Sequence, residues 1–525
     1  METDSTSKQD TNGISRDEVE KLIGSLQNEN KELKRQLDWF KRQLFGSKSE
    51  KQIEPNPHQM FLGEQFKSPE NVPDGQLKQK ITYERGTGKK IRPEDCITDS
   101  GLRFDPSVPM KTITMPILGI AGLSESDYEI IDVHKTYRLA QRPASYVVLC
   151  YEQPVAKIKE SKEIINAIIT TNVLEKSAAD VSLLVGLLVD KFLYHLPLYR
   201  QHQRLSAAGI TLSRATLTNY VRRAISLLEP IVDAQRLSVL QSKVLAMDET
   251  PTKAGKSKKK RGRMHQGYYW PIYGDKDEVV FTYSESRARR VIEAILTDSF
   301  SGTLLSDGYS AYASYVGKTE GLTHAQCWTH TRRQFFEAQD DEPELVAEML
   351  ARIALLYKFE DDCKTKDIEG EEKREHRIKH SKPVVDSIVE RVDDLLGERA
   401  LLPPSSPFTK ALGYLRNRVV ELRVFLEEPE VQLDTNHLER TLRCIPMGRR
   451  NWLFSWTELG AEQVGIIQSL ICTCKLHGID PYIYLTDVLL RVAVHPANQV
   501  ELLTPRLWKE HFAAEPMRSD LMLEI

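Results

Sequence analysis

From Lys243 onward the chain reads as a series of short apolar runs: KVLAMDET, QGYYWPIYG and EVVFTYSES, a helical stretch at 287–299, then GTLLSDGYSAY and LTHAQCWTH. Runs of this length, rich in β-branched and aromatic residues and bounded by polar loops, are strands; with a helix among them they require a sheet with helices packed on it. Two of the runs end in an acid. Asp248 closes KVLAM, and Asp307 closes TLL after one serine, so two carboxylates can project from strand ends into one site. A third acid, Glu439, stands in DTNHLERTLRCIPMGRRNWLF among Arg440, Arg443, Arg449 and Arg450, with Asn436 three residues before it on the same helical face. Three carboxylates beside cations are what a two-metal phosphoryl-transfer site needs: hard oxygen ligands for Mg²⁺, for which Mn²⁺ can substitute, and guanidinium groups for the phosphodiester.

Between the first two of these strands lies KAGKSKKKRGR, in which Lys253, Lys256, Lys258, Lys259, Lys260, Arg261 and Arg263 occur without an acid. Such a run is often only a solvated charged segment, but directly after a strand-terminal Asp it reads as a phosphate-seeking loop. Upstream, 162–243 is helical, and PLYRQHQRLSAAG followed by ITLSRATLTNYVRRAISLL has the pattern of a helix-turn-helix. Gly209 sits at the turn and Ser213 is suited to cap the second helix, whose exposed side would offer Arg214, Thr218, Asn219, Arg222 and Arg223 to phosphates and base edges. An ordinary helical pair with a basic solvated face fits the same pattern.

At 525 residues the chain exceeds what one hydrophobic core serves, and several domains are expected. With 40% hydrophobic and 28% charged residues it is globular in composition, which excludes collagenous, mucin-like and wholly disordered classes. Val19, Ile23, Leu26, Asn30, Leu33, Leu37, Phe40 and Leu44 recur at alternating spacings of four and three, a coiled-coil seam. With Leu26 and Leu33 at d, Asn30 falls at an a position and favours a parallel pair in one register, and the seam predicts a homodimer or higher assembly held through Ile23, Leu26, Asn30, Leu33 and Leu37; an amphipathic helix packed on its own domain fits the same spacing. Residues 45–95 are rich in Gly, Pro, Ser, Gln and Lys and read as linker; Cys96 to Lys157 is β-rich. The longest apolar run, Val181 to Val189, is too short to span a bilayer, and residues 1–16 lack a basic segment followed by an apolar one, so no membrane partner and a cytoplasmic, nucleoid location are expected.

The seven cysteines are scattered, with no CxxC pair, and predict no disulfide scaffold. His324, Cys327 and His330 in HAQCWTH have zinc-like composition, but on a strand-to-helix corner they would diverge. Cys327 and Trp328 are expected to pack in the core, as are Cys472 and Cys474 on their helix.

The strings MDET, SDGYSAY, HAQCWTHTRRQF, NHLERTLRCIPMGRRNWLF and SLICTCKLHGIDPYIYLTDVL resemble the transposases of the insertion-sequence-66 family. The resemblance extends over most of the chain, including the amino-terminal helix ending in KRQLFGSKSEK. It implies a DDE transposase acting on double-stranded DNA at transposon ends and target. The catalytic core would be RNase H-like, with Asp248, Asp307 and Glu439 as catalytic, metal-holding acids and the helices before Glu439 as an insertion. His330, Arg332 and Arg333 would then face DNA, with accessory proteins as further partners. In place of the family's Cys-rich zinc element, EDCITDSGLRFDPSVP keeps only Cys96, and one thiolate cannot build tetrahedral coordination, so no zinc is expected.

The expected fold is multidomain α+β. A tail occupies 1–18, a coiled-coil dimerisation helix 19–45, a linker 46–95, a small β module 96–160 and a helical DNA-binding region 161–242. The RNase H-like core begins at 243–340, receives a helical insertion at 341–432 and is completed at 433–495, before a tail at 496–525. Two other readings fit the same residues: an RNase H-like nuclease or resolvase that cuts without joining, and a catalytically inactive transposase-derived DNA-binding regulator.

Overall fold

The computed structural model describes residues 102–522, apart from 122, 143–144, 168–171, 257–262, 399–405, 453–454 and 456. The seam at 19–44 and the stretch read as linker lie outside the described residues. Among the described residues no helix is long and apolar enough to cross a membrane.

The β-rich segment begins with β1 (Arg103–Phe104), β2 (Met110–Thr114), β3 (Tyr128–Arg142) and β4 (Ser145–Ile158), and ends with β5 (Ile164–Asn166). The long β3–β4 pair is the spine of a four-stranded sheet in which β2 runs parallel to β4 and β5 antiparallel to it. Three helices follow: α1 (Val181–Phe192), α2 (Leu198–Ala207) and, after β6 (Ile210–Thr211), α3 (Arg214–Leu240). Asp180 caps α1 by accepting from the Ser182 amide, and Ser213 caps α3 by accepting from the Thr216 amide at 3.0 Å. The turn between α2 and α3 contains Gly209 at φ 77, a left-handed conformation that glycine adopts without strain. The second helix of this pair is no short recognition helix: it runs 27 residues, and from Leu217 to Leu240 it buries one face in the protein core.

A six-stranded sheet comes next: β7 (Val244–Met247), β8 (Thr250–Lys256), β9 (Met264–Gly274), β10 (Val279–Ser284), β11 (Gly302–Ser306) and β12 (Leu322–Gln326). The order is β10-β9-β7-β11-β12, with β8 pairing to β9 beyond the end of β7. Strands β7, β11 and β12 are parallel; β9 and β10 are antiparallel to their neighbours. KVLAMDET is thus split between two strands at Asp248 and Glu249. The basic run is also not simply a loop: Lys253 and Lys256 belong to β8, opposite Gln266 and Met264 of β9. The cause is alternation, since Thr250, Thr252 and Ala254 face inward while Pro251 and Lys253 face out.

Helices α4 (Arg289–Leu296) and α5 (Ser310–Val316) flank β11, and α6 (Trp328–Glu337) follows β12. The insertion then comprises α7 (Pro343–Thr365), α8 (Gly370–His376), a π-helical turn at Arg377–Ser381, α9 (Lys382–Glu398), α10 (Pro407–Arg416) and α11 (Val419–Glu427). The chain returns through α12 (Asn436–Leu442), α13 (Cys444–Trp452), α14 (Glu458–Leu476) and α15 (Pro481–Arg491). Leu304 and Leu305 point to opposite faces of the sheet, into two separate cores: one shared with α3 and α14, the other with α6 and the insertion. Edge strand β10 is covered by α14, whose Ser469 and Thr473 hydroxyls accept from the Phe281 and Val279 amides at 2.9 and 3.2 Å.

Residues 496–525, expected as a tail, are folded as far as they are described. A 3₁₀ helix at Ala497–Leu503 and α16 (Pro505–His511) bury Leu503 and Trp508, and Leu521 packs beside Tyr151 of β4. Asp520 accepts from the Tyr151 hydroxyl at 2.7 Å, and the Ser519 hydroxyl donates to Asp180 at 2.6 Å. These apolar residues are too sparse in sequence to show a period, so only their docking reveals them.

Candidate active site

Strand β7 is buried through Leu245, Ala246 and Met247 and ends where β8 departs along β9. Asp248 occupies that break, its Oδ1 accepting from the Glu249 amide at 2.8 Å. On the neighbouring strand, Leu305 stands opposite Ala246, so two further residues along each strand, past Met247 and Ser306, lead to Asp307 beside Asp248. Asp307 Oδ1 accepts from the Tyr309 amide at 2.9 Å. The pairing of β7 and β11 is fixed at its start by Gly302, at φ 144: a Cβ there would lie 2.3 Å from the Lys243 carbonyl oxygen.

Burial pushes the Asp248 carboxyl up to about 7, and the neighbouring Glu249 and Asp307 charges push the same way. The Glu249 amide and His330 oppose them. Glu249, which the sequence reading did not single out, is almost fully buried: Arg287 and the Tyr312 hydroxyl hold its carboxylate, Arg287 Nε at 2.6 Å and the hydroxyl at 2.6 Å. Arg287 in turn lies over the Tyr309 ring and receives a hydrogen bond on its carbonyl from the Tyr309 hydroxyl. The MDET string contains this second acid, but nothing local marks Arg287 or Tyr312 as its partners.

Glu439 is positioned through α6. The Cys327 sulfur accepts from the amide and hydroxyl of Thr435, both at 3.3 Å, and the Trp328 amide donates to the Leu433 carbonyl at 3.1 Å. These bonds clamp the start of α12 against α6. Asn436 then donates to Asp434 and Thr329, and Glu439 Oε1 faces His330 Nε2 at 3.8 Å. Asn436 and Glu439 thus do share a helical face, and that face meets α6. Among the described residues, Glu439 Oε1 and His330 Nδ1 are both buried without a hydrogen-bond partner.

The insertion is tied to the segment leading into α12 by Arg377. This fully buried guanidinium pairs with both Glu360 oxygens at 2.8 Å and donates to the carbonyls of Phe425, Glu428, Pro429 and Val431.

The family described as Transposase IS66 family matches residues 176–463, more than half of the chain and the whole of this site. The chain belongs to the IS66 transposase family. The IS66 C-terminal element matches 469–505, and the element described as Transposase C of IS166 homeodomain matches 32–94, a stretch that includes most of the segment read as linker. Three uncharacterized proteins of Sinorhizobium fredii are similar. Protein y4hP is 32% identical over 361 residues, covering 64% of this chain and 63% of its own. Protein y4jD is 32% identical over 348 residues (63% and 66%), and y4qI is 26% identical over 394 residues (72% and 71%). The aligned stretch spans less than two thirds of the length of either of the first two.

For the basic residues of this IS66-family chain the structure separates several environments. Arg332, Arg333, Arg440, Arg443 and Arg450 are exposed, whereas Arg449 donates to the Pro251 carbonyl and braces α13 on β8. On α3, Arg214 lies over the Tyr199 ring, Arg222 donates to Asn219, and Arg223, half-buried, donates to the Glu175 carbonyl. Lys256 and Arg263 flank the hairpin tip; Lys258, Lys259, Lys260 and Arg261 lie outside the described residues. In HAQCWTH, His324 Nε2 bonds the Ser306 hydroxyl, Cys327 is engaged by Thr435, and Cys327 and Trp328 are buried.

The IS66 family implies a divalent metal. Among the described residues no three His, Cys, Asp or Glu side chains are grouped closely enough to hold a metal ion. The chemistry of the donors fits one nonetheless: Asp248 is buried beside Glu249 and Asp307, whose charges a cation would offset, and among the described residues Glu439 Oε1 is buried with no donor to satisfy it.

Proposed function

We propose that the chain is a DDE transposase with an RNase H-like core, cleaving the phosphodiester at transposon ends and joining the freed 3′ hydroxyl to target DNA. The observation that carries this reading is the placement of Asp248 and Asp307 at the ends of adjacent parallel strands, with Glu439 on a helix clamped to the neighbouring α6. The strand order β10-β9-β7-β11-β12 supports the RNase H-like assignment.

In this reading Asp248, Asp307 and Glu439 would hold Mg²⁺ or Mn²⁺, which would supply Lewis acidity at the phosphodiester. The protein's own residues do the rest. Glu249, locked by Arg287 and Tyr312, holds the end of β7 in place and keeps negative charge on Asp248 unfavourable until a cation compensates it. His330, whose Nε2 faces Glu439 at 3.8 Å, marks where α6 meets the helix that carries the third acid. Lys253, Lys256 and Arg263 on the β8–β9 hairpin, and Arg332 and Arg333 on α6, bind backbone phosphates of double-stranded DNA. The segment at 32–94 supplies further DNA contact, as its homeodomain description suggests.

Asp248→Asn, Asp307→Asn and Glu439→Gln each abolish cleavage of a transposon-end duplex while leaving duplex binding nearly intact; loss of binding together with cleavage would give these acids a structural role. Strand-transfer products separate a transposase from a nuclease that cuts without joining. One observation favours the inactive-regulator reading: Glu439 stands with His330 and is not grouped with the two aspartates. Duplex binding without any cleavage in Mg²⁺ or Mn²⁺ would establish it.

A further inference from the structure

A cavity of about 740 Å³ opens on the other side of α12 from the acids. His437, Arg440 and Thr441 of that helix line it, whereas Asn436 and Glu439 turn toward α6. Four cations converge there from separate parts of the chain: Lys364 at the end of α7, Arg440, Arg443 just after α12, and Lys475 at the end of α14. Among the described residues none of the four forms an ion pair, and the cavity's one acid, Asp277, which accepts from the Tyr273 hydroxyl, offsets at most one of the four charges. Uncompensated positive charge converging in a concavity of this kind is suited to a polyanion.

The rim adds a second chemistry. Tyr194 is 70% exposed and Met447 46% exposed, both at the cavity. Among the described residues the Tyr194 ring stacks on no other aromatic. The next residue, His195, sits at φ 58 with its ring 5.6 Å from Trp452, which fixes the turn that presents Tyr194 outward. An exposed aromatic beside converging cations is the arrangement that takes a base on the ring and its phosphates on the guanidinium and ammonium groups. The volume suits a few nucleotides of one extended strand; a duplex is too wide to enter.

We propose that this cleft binds a short single-stranded segment of DNA, with a base on Tyr194 and phosphates on Arg440, Arg443 and Lys475. The proposal deepens the transposase reading and rests on it for the source of the strand. Because Arg440 and Glu439 are neighbours on one short helix, a strand in the cleft also braces the helix that carries the third acid.

The test uses the full chain and a fluorescent eight-nucleotide oligothymidine carrying 5-iododeoxyuridine. Anisotropy is expected to report salt-dependent binding, weakened about tenfold by Tyr194→Ala and by Lys475→Glu, with Tyr194→Phe close to wild type. Photo-cross-linking of the unaltered chain should place the oligonucleotide on the peptide containing Tyr194. Unchanged affinity in both variants, or cross-links mapped only elsewhere, overturns the proposal. So does displacement of the oligonucleotide by inorganic phosphate as readily as by thymidine monophosphate, which would make the cleft a simple anion site. Asp248→Asn and Asp307→Asn separate the two readings: if they leave cleavage intact while the cleft variants lose the oligonucleotide, the catalytic assignment fails and the cleft stands.

Discussion

Asp248→Asn is expected to stabilise the metal-free protein, in a pH-dependent way. The carboxyl titrates near 3.8 in an unfolded chain and is pushed up to about 7 in the fold, chiefly by burial, with Glu249 and Asp307 adding to it. Well below pH 3.8 the acid is protonated in both states and costs the fold nothing; the penalty grows as pH rises between the two values, and above about pH 7 the acid is ionised in both states and the full penalty applies. A displacement of that size corresponds to about 4 kcal/mol as an upper bound, and about 2–4 kcal/mol once relaxation and water access are allowed for. Asparagine keeps an oxygen for the Glu249 amide and carries no charge, so it removes the penalty without opening a cavity. Thermal unfolding in the presence of a chelator should show Tm raised by on the order of 5 °C at pH 8 and by only about a quarter of that at pH 4.5. Addition of Mg²⁺ at pH 8 should raise the wild type toward the variant and leave the variant where it is. Equal effects at the two pH values, or destabilisation at pH 8, would refute the claim that Asp248 is a charge held at a cost.

Arg377→Met strands the Glu360 carboxylate and four carbonyls, and urea denaturation should record a loss of about 3–5 kcal/mol; a loss below 1 kcal/mol would mean the buried guanidinium is not what secures the insertion. Gly302→Ala forces a side chain against the Lys243 carbonyl at φ 144, costing about 1–3 kcal/mol in thermal unfolding and most of the cleavage activity, since the pairing that sets Asp307 beside Asp248 must shift. Neutralising the basic residues across 256–263 should weaken binding to every DNA sequence alike. The slope of log affinity against log salt should flatten by about one for each phosphate no longer neutralised, and an unchanged slope would remove the hairpin from the interface.

Both strand-end aspartates are legible from sequence because an apolar run of strand length that stops at an acid is a local pattern. So are Ser213 and Pro481 at helix starts, where capping depends only on neighbours. Glu249 is not legible, for the opposite reason: its importance comes from Arg287 and Tyr312, 38 and 63 residues away. Arg449 reads in GRRNW as one more DNA-binding cation, yet its guanidinium is committed to the Pro251 carbonyl.

The sequence by itself determined the α/β character of the core, the family and the identity of three candidate acids, all carried by short-range patterns of polarity and by specific strings. Tertiary structure alone decided where Glu439 stands, since its placement rests on Cys327 and Trp328 binding residues 433–435 across more than a hundred positions of chain. It also decided the cationic cleft, whose lysines and arginines come from helices far apart in sequence. Periodicity is a property of neighbours along the chain, whereas a site assembled across an insertion depends on contacts that no local pattern encodes.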